Sequence, residues 1–225
     1  MKRLFDILLS VSLLAIALAA CSDDNEPSGE KQDSFRYDVV TYDGYADGVA
    51  QFTFIPRLDA PEITYVGRLG KQPEIKEGQR VLLNYFVPAE AKGAKQDVII
   101  NGVSAIFSDT LRYADKQRID TISREVIRLA SVWRTGNYIN LHAEVEYTGK
   151  PRWFYMLMDK ATWNSDTVDC YLVHNTFGAT KYFWRQTYAS FYVGGAWKKQ
   201  SCCALRVHIN DNVFPDTKTY CFGKQ

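Results

Sequence analysis

The sequence predicts an all-β protein, and three observations carry that expectation. From Phe35 onward, short runs of alternating apolar and polar residues recur every ten to fifteen residues between turn residues. No clear long helix interrupts them. Aromatic residues make up 14% of the chain, with 14 Tyr, 12 Phe and 5 Trp, and such rings pack well across half-buried sheet faces. A hydrophobic content of 46% in 225 residues rules out a disordered chain and supplies one or two cores.

Residues 1–20 stand apart from this pattern. Lys2 and Arg3 form a basic start, and Leu8 to Ala20 is an almost unbroken apolar run. That run is short for a bilayer span and ends in small residues before Cys21, which is the pattern of a secretory signal. Leu18-Ala19-Ala20-Cys21 resembles the lipobox of bacterial lipoproteins. The resemblance implies cleavage before Cys21 and covalent lipid on it, with acyl chains as the membrane attachment and no other cofactor. Residues 21–34 carry almost no apolar side chain and read as a solvated tether. Its acidic beginning, Ser22-Asp23-Asp24-Asn25-Glu26, resembles export signals that place lipoproteins on the outer membrane, facing the exterior.

Losing Lys2, Arg3 and Asp6 with the leader takes the 27 basic and 26 acidic residues to 25 each. A neutral mature chain has no basic field for nucleic acid, and none is expected as a partner. Four cysteines remain, Cys170, Cys202, Cys203 and Cys221, which allow three full pairings or free thiols. If Cys202 and Cys203 are strand-borne, at most one of them lies in the core. No CxxC or histidine spacing suggests a metal site.

The strand pattern runs in order. "FRYDVV", "VAQFTFIP", "EITYVGRL", "KEGQRVLLNYFVP" and "DVIINGVSAIF" come first, the last holding Asn101-Gly102 as a turn or bulge signal. Residues 111–131 are ambiguous. Ile122, Val126, Leu129 and Ala130 have helical spacing, while Val126 to Trp133 also suits a strand. A domain boundary is placed here, with domains at 35–115 and 116–225.

"YINLHAEVEY" then alternates cleanly: Ile139, Leu141, Ala143 and Val145 face a core, and Asn140, His142, Glu144 and Glu146 face water. A turn at Gly149-Lys150-Pro151 predicts a hairpin with "RWFYMLMD". "TVDCYLVHN", "TYASFYVGG", "CCALRVHIN" and "TKTYCFG" complete a β-sandwich.

The mature chain resembles the NigD-like lipoproteins. Glu77 to Tyr85 carry the likeness in the first domain. In the second it rests on Trp133, Gly136 to Leu141, His174-Asn175, Val207 to Asn210 and Lys218 to Tyr220. The resemblance implies a small OB-like β-barrel followed by an antiparallel β-sandwich, behind a lipoprotein signal peptide. It also implies a role in immunity to a bacteriocin, and it brings no catalytic residues.

The residues themselves point away from an enzyme. Neither HExxH nor GxSxG occurs, and His142 and His208 belong to polar strand faces. His174 falls at a strand end or in the following loop. Glu144 and Glu146, roughly 7 Å apart at i and i+2, have the separation of an inverting glycosidase pair but are explained by a solvated face. A non-catalytic binding scaffold is therefore expected, with a toxin or an outer-membrane protein as partner. The alternative partner is an oligosaccharide. Lys181 to Trp197 holds seven rings, of which Tyr182, Trp184 and Trp197 are the candidate ligand-binding residues.

Overall fold

The computed structural model describes residues 34–213 and 218–224; the leader, Cys21 and the tether up to Asp33 lie outside them. Six strands come first: β1 (Ser34–Ala46), β2 (Val49–Phe54), β3 (Ile63–Arg68), β4 (Arg80–Val87), β5 (Lys95–Asp97) and β6 (Ile99–Ala105). They form one sheet in the order β5-β3-β2-β1-β4-β6. The first half of β1 pairs with β4 and its second half with β2, the change falling at Thr41.

One face of this sheet holds its own core. Val40, Tyr42, Phe52, Tyr65, Leu83 and Tyr85 are buried against one another although no second sheet covers them. The reason is the segment 95–105. Its first part pairs with β3 and its second with β4, and Val98 between them donates to the Val66 carbonyl at 2.8 Å. The sheet thus rolls up with continuous chain across the seam. Gly67 permits the approach, because a Cβ there would lie 2.6 Å from the Ile100 side chain. The expected barrel is therefore a rolled sheet: no hydrogen-bonded ladder joins its edge strands β5 and β6. Asn101 is the extra residue of a bulge, since Asn84 pairs with Gly102 and Tyr85 with Ile100.

The remaining strands are β7 (Phe107–Thr110), β8 (Arg112–Ala114), β9 (Arg128–Thr135), β10 (Tyr138–Tyr147), β11 (Trp153–Asp159), β12 (Thr167–Asn175), β13 (Phe183–Tyr192), β14 (Ala204–His208) and β15 (Thr219–Gly223). Two sheets result, β7-β13-β10-β9 and β15-β14-β12-β11-β8. Between them Ile139, Leu141, Met156, Val168, Phe191 and Val207 form the principal core. All-β architecture is what the alternating pattern predicts, and the inward set Ile139, Leu141, Ala143 and Val145 is buried as expected.

Two expectations about the sandwich are corrected. The sandwich is mixed rather than antiparallel throughout: β7–β13, β8–β11 and β12–β14 are parallel pairs. Between β12 and β14 the chain crosses to the other sheet and back through β13, and such a crossover brings neighbours in parallel. β10 and β11 make no hairpin, because the turn at 148–152 carries the chain from one sheet to the other. The ambiguous stretch holds both a helix and a strand, with the helix earlier than its apolar spacing indicates. It is α1 (Lys116–Thr121), capped by the Asp115 side chain accepting from the Arg118 amide. A second short helix, α2 (Gly194–Trp197), follows β13. The four described cysteines are free thiols, with Cys170 and Cys202 buried and Cys203 and Cys221 exposed.

Arg80 joins the rolled sheet to the sandwich. It is 3% exposed. Its Nε donates to Ser190 Oγ at 3.1 Å, Nη1 to Thr41 Oγ1 at 3.0 Å, and Nη2 to the Val39 carbonyl at 3.0 Å and Asn140 Oδ1 at 3.3 Å. The Tyr138 ring lies 4.4 Å beneath the guanidinium. Ser190 donates onward to Asn140, and Asn140 to Thr135. So Asn140, expected on a wet face, is fully buried at this joint. Burial lowers the Arg80 pKa to about 10, which still leaves it charged at neutral pH.

A second contact lies nearby. Leu58 exchanges backbone hydrogen bonds with Arg134 and Gly136, and Arg134 Nη2 meets Asp59 at 2.6 Å. Gly136 has φ +51, and Ile55 sits 2.8 Å from where its Cβ would be.

Replacing Arg80 with Leu strips donors from Ser190, Asn140 and the Val39 carbonyl. Each unpaired buried acceptor costs ~1–3 kcal/mol, offset by removal of a buried charge. The expected net loss is about 2 kcal/mol, read as a fall of about 1 M in the urea midpoint. An unchanged or raised midpoint would contradict the joint.

Candidate functional site

The joint leaves a cleft beside it. Because β7 pairs only with Ala189 to Tyr192, the segment Phe183 to Tyr188 of β13 has β10 on one side and no strand on the other. Facing that bare edge are Ser104 and Ala105 at the end of β6 and Ile106 before β7, enclosing a cavity of about 590 Å³. Its apolar lining includes Leu82, Phe107 and Val145. Its polar lining comes from Arg185, Gln186, Thr187 and Tyr188 on β13, Tyr147 on β10 and Arg152 ahead of β11.

Two guanidiniums and no carboxylate line this cleft. Among the described residues, no ion pair joins Arg152 or Arg185 to a carboxylate. Arg152 Nη1 donates to the Glu146 carbonyl at 2.9 Å, and Arg185 lies 5.8 Å from the centre of the Tyr147 ring. Burial and then the charge of Arg185 lower the pKa of Arg152. Nearby carboxylates are engaged elsewhere: Lys181 meets Glu146 at 2.5 Å and Glu125 at 3.4 Å. Glu125 also accepts from the Thr176 amide and hydroxyl. Although burial opposes it, those hydrogen bonds and Lys181 hold the Glu125 carboxyl below its usual range.

The three histidines lie in three different settings. His174 is buried on β12, and burial, then the charge of Arg152, lowers its pKa, so the ring is neutral. His208 Nε2 lies 2.7 Å from Asp169, whose carboxylate Arg206 holds bidentately, and the Tyr171 ring stacks 4.3 Å away. Arg206 holds Asp169 below the usual carboxylate range. His142 stacks on Tyr188 at 4.2 Å. Glu144 and Glu146 pair separately with Arg128 and Lys181.

Tyr182, Trp184 and Trp197 are not brought together as a platform. Tyr182 is 67% exposed. Trp184 is half-buried, with the Arg128 guanidinium 4.0 Å over its ring. Trp197 is buried in the sandwich core beside Arg134. Sequence reasoning missed Arg152, Arg185 and the bare edge of β13. No local signal marks them, because β7 pairs with β13 across a long sequence separation, Phe107 with Ala189.

The end of the sandwich next to the cleft carries exposed rings. Trp153 and Phe177 meet at 4.6 Å, and Phe183 stacks on Tyr147 at 4.9 Å.

With the geometry in place, solved structures sharing this fold can be compared. A protein of unknown function, DUF1344, from Bacteroides vulgatus matches with a TM-score of 0.66 at 14% identity, over 85% of this chain and 92% of that one. The fold is shared. A NigD-like immunity protein from Bacteroides caccae matches with a TM-score of 0.58 at 21% identity, over 84% and 92%. A lipoprotein candidate from Bacteroides fragilis matches with a TM-score of 0.61 at 10% identity, over 85% and 99%. No family model and no curated protein matches the chain.

The placements of the two tryptophans separate packing from surface roles. Trp197→Ala is expected to cost about 3–5 kcal/mol, as for a large core ring. Trp184→Ala is expected to cost about 1 kcal/mol, the scale of an exposed cation–π contact. Equal losses in urea titrations would contradict the assignment.

Proposed function

We propose that the chain is a cell-envelope lipoprotein that acts by non-catalytic binding, and that its role is immunity to a bacteriocin. The observation carrying this reading is the fold shared with a NigD-like immunity protein over 84% of the chain. The same fold occurs in a lipoprotein candidate. Cys21, in its lipobox, provides the anchor, and the acidic residues after it favour the outer face of the outer membrane. Lipid at Cys21 attaches the protein firmly only with several acyl chains, since one chain binds reversibly.

A second reading, a surface glycan-binding lipoprotein, is favoured by the exposed rings at the sandwich end. Tyr182, Phe183, Trp153 and Phe177 are each more than two-fifths exposed. Rings open to solvent are available to stack on a sugar face or to enter a partner's pocket.

Deletion followed by bacteriocin challenge tests the first reading. The deletion strain is expected to become more sensitive. Wild-type chain should restore survival, whereas Cys21→Ala should leave the membrane fraction and fail to restore it. Unchanged survival on deletion would remove the immunity role. A glycan array probed with wild type and a Tyr182→Ala, Phe183→Ala double variant tests the second reading, which falls if nothing binds or if the two profiles agree.

A further inference from the structure

We propose that the cleft beside β13 is a strand-addition site for an extended acidic peptide segment, supplied by a partner protein. The inference rests on the protein-binding reading above and assigns it a place and a chemistry. Two independent observations carry it.

The first is topological. Phe183 to Tyr188 is a six-residue stretch of strand with a neighbour on one side only. Apart from the β10 ladder, no backbone hydrogen bond engages these residues among those described. A bare edge offers alternate N–H and C=O groups to an incoming strand, and such pairing supplies affinity through the main chain. The cavity along the edge, about 590 Å³, gives that strand room. Its apolar lining residues Leu82, Phe107 and Val145 suit an apolar side chain of that strand.

The second is electrostatic. Arg152 and Arg185 face the cleft with no carboxylate in its lining. The chain is otherwise close to neutral, so this is a local property of the cleft. A second copy of the same edge would bring its own pair of guanidiniums to this one, and juxtaposed like charges disfavour the pairing. A basic strand adds like charge, and a neutral strand gives the two guanidiniums no ion pair, the charge of Glu125 near Arg152 being already shared with Lys181. An acidic strand matches them, and Arg is the residue that takes a carboxylate bidentately. Complementary charge also steers association and excludes wrong partners.

Selection from a random hexapeptide display library against the mature lipidated chain in detergent tests the proposal. Recovered sequences are expected to be rich in Asp and Glu. A labelled recovered peptide, followed by fluorescence anisotropy, should bind at least tenfold more weakly to an Arg152→Gln, Arg185→Gln double variant with an unchanged urea midpoint. Versions of the peptide N-methylated at alternate residues leave the protein untouched and separate strand addition from other modes. One phase should abolish binding and the other should leave it, because an added strand pairs along one edge only. Recovery without acidic enrichment, tolerance of both phases, or displacement by oligogalacturonate would overturn the proposal.

Its failure is distinguishable from that of the immunity reading. If deletion sensitises cells and the double variant restores full survival, the cleft is not the site although immunity stands. If deletion has no effect while acidic peptides bind as described, the immunity role falls and the site stands.

Discussion

A single buried cation sets how the two halves of this molecule meet. Arg80 leaves β4 of the rolled sheet and ends among Ser190 and Asn140 on the outer face of the four-stranded sheet. Among the described residues it has no carboxylate partner. Its charge is instead spread over hydroxyl, amide and carbonyl oxygens and the face of Tyr138. A buried charge is tolerable only when its hydrogen-bonding capacity is nearly filled. Each of those acceptors must therefore stay in place, which fixes β1, β4, β10 and β13 relative to one another. The contact of Leu58 and Asp59 with the β9–β10 turn holds the same arrangement from another side.

The cleft is a consequence of that arrangement. With Arg80 anchored at Ser190, the upper part of β13 is covered by β7 and the rolled sheet, while the lower part is left beside a hollow. The same strand thus changes from interior to edge within two residues, between Ala189, which pairs with Phe107, and Thr187. The charge pattern follows the same division. At the joint one guanidinium makes four hydrogen bonds with its five donors. At the cleft two guanidiniums line a cavity with no carboxylate in its lining; Glu125 acts on Arg152 only through its charge, and both it and Glu146 are ion-paired to Lys181. A surface built this way favours an anionic occupant, and the physical difference between the two arginine environments is the presence or absence of matched acceptors.

What could be read from the sequence was periodic and local. The alternation of β10 gave its inward residues correctly, because a strand's faces are set by a two-residue period. Asn101-Gly102 marked a bulge, because a local turn signal lies within the chain itself. What could not be read was pairing between distant segments. The outward residue Asn140 looks like its neighbours Glu144 and Glu146 in sequence, yet it is buried because Arg80 arrives from sixty residues away. The false hairpin after Tyr147 has the same cause, since a turn says that the chain reverses and not which sheet receives it. Trp197, sought as a surface ring, occupies the core because the short helix α2 tucks it against Arg134. Polar side chains at long-range joints, and edges left by incomplete pairing, are the features a single sequence conceals.

All five tryptophans, Trp133, Trp153, Trp163, Trp184 and Trp197, belong to the sandwich half, whereas the rolled sheet is built around tyrosine and phenylalanine. Tryptophan fluorescence therefore reports the sandwich alone, and hydrogen exchange at the amides of β1, β2 and β4 reports the rolled sheet. Followed side by side through a urea titration, the two signals are expected to move together in one transition, because the Arg80 joint couples the halves. Two separated transitions, with the rolled sheet opening while tryptophan fluorescence stays native, would contradict the account.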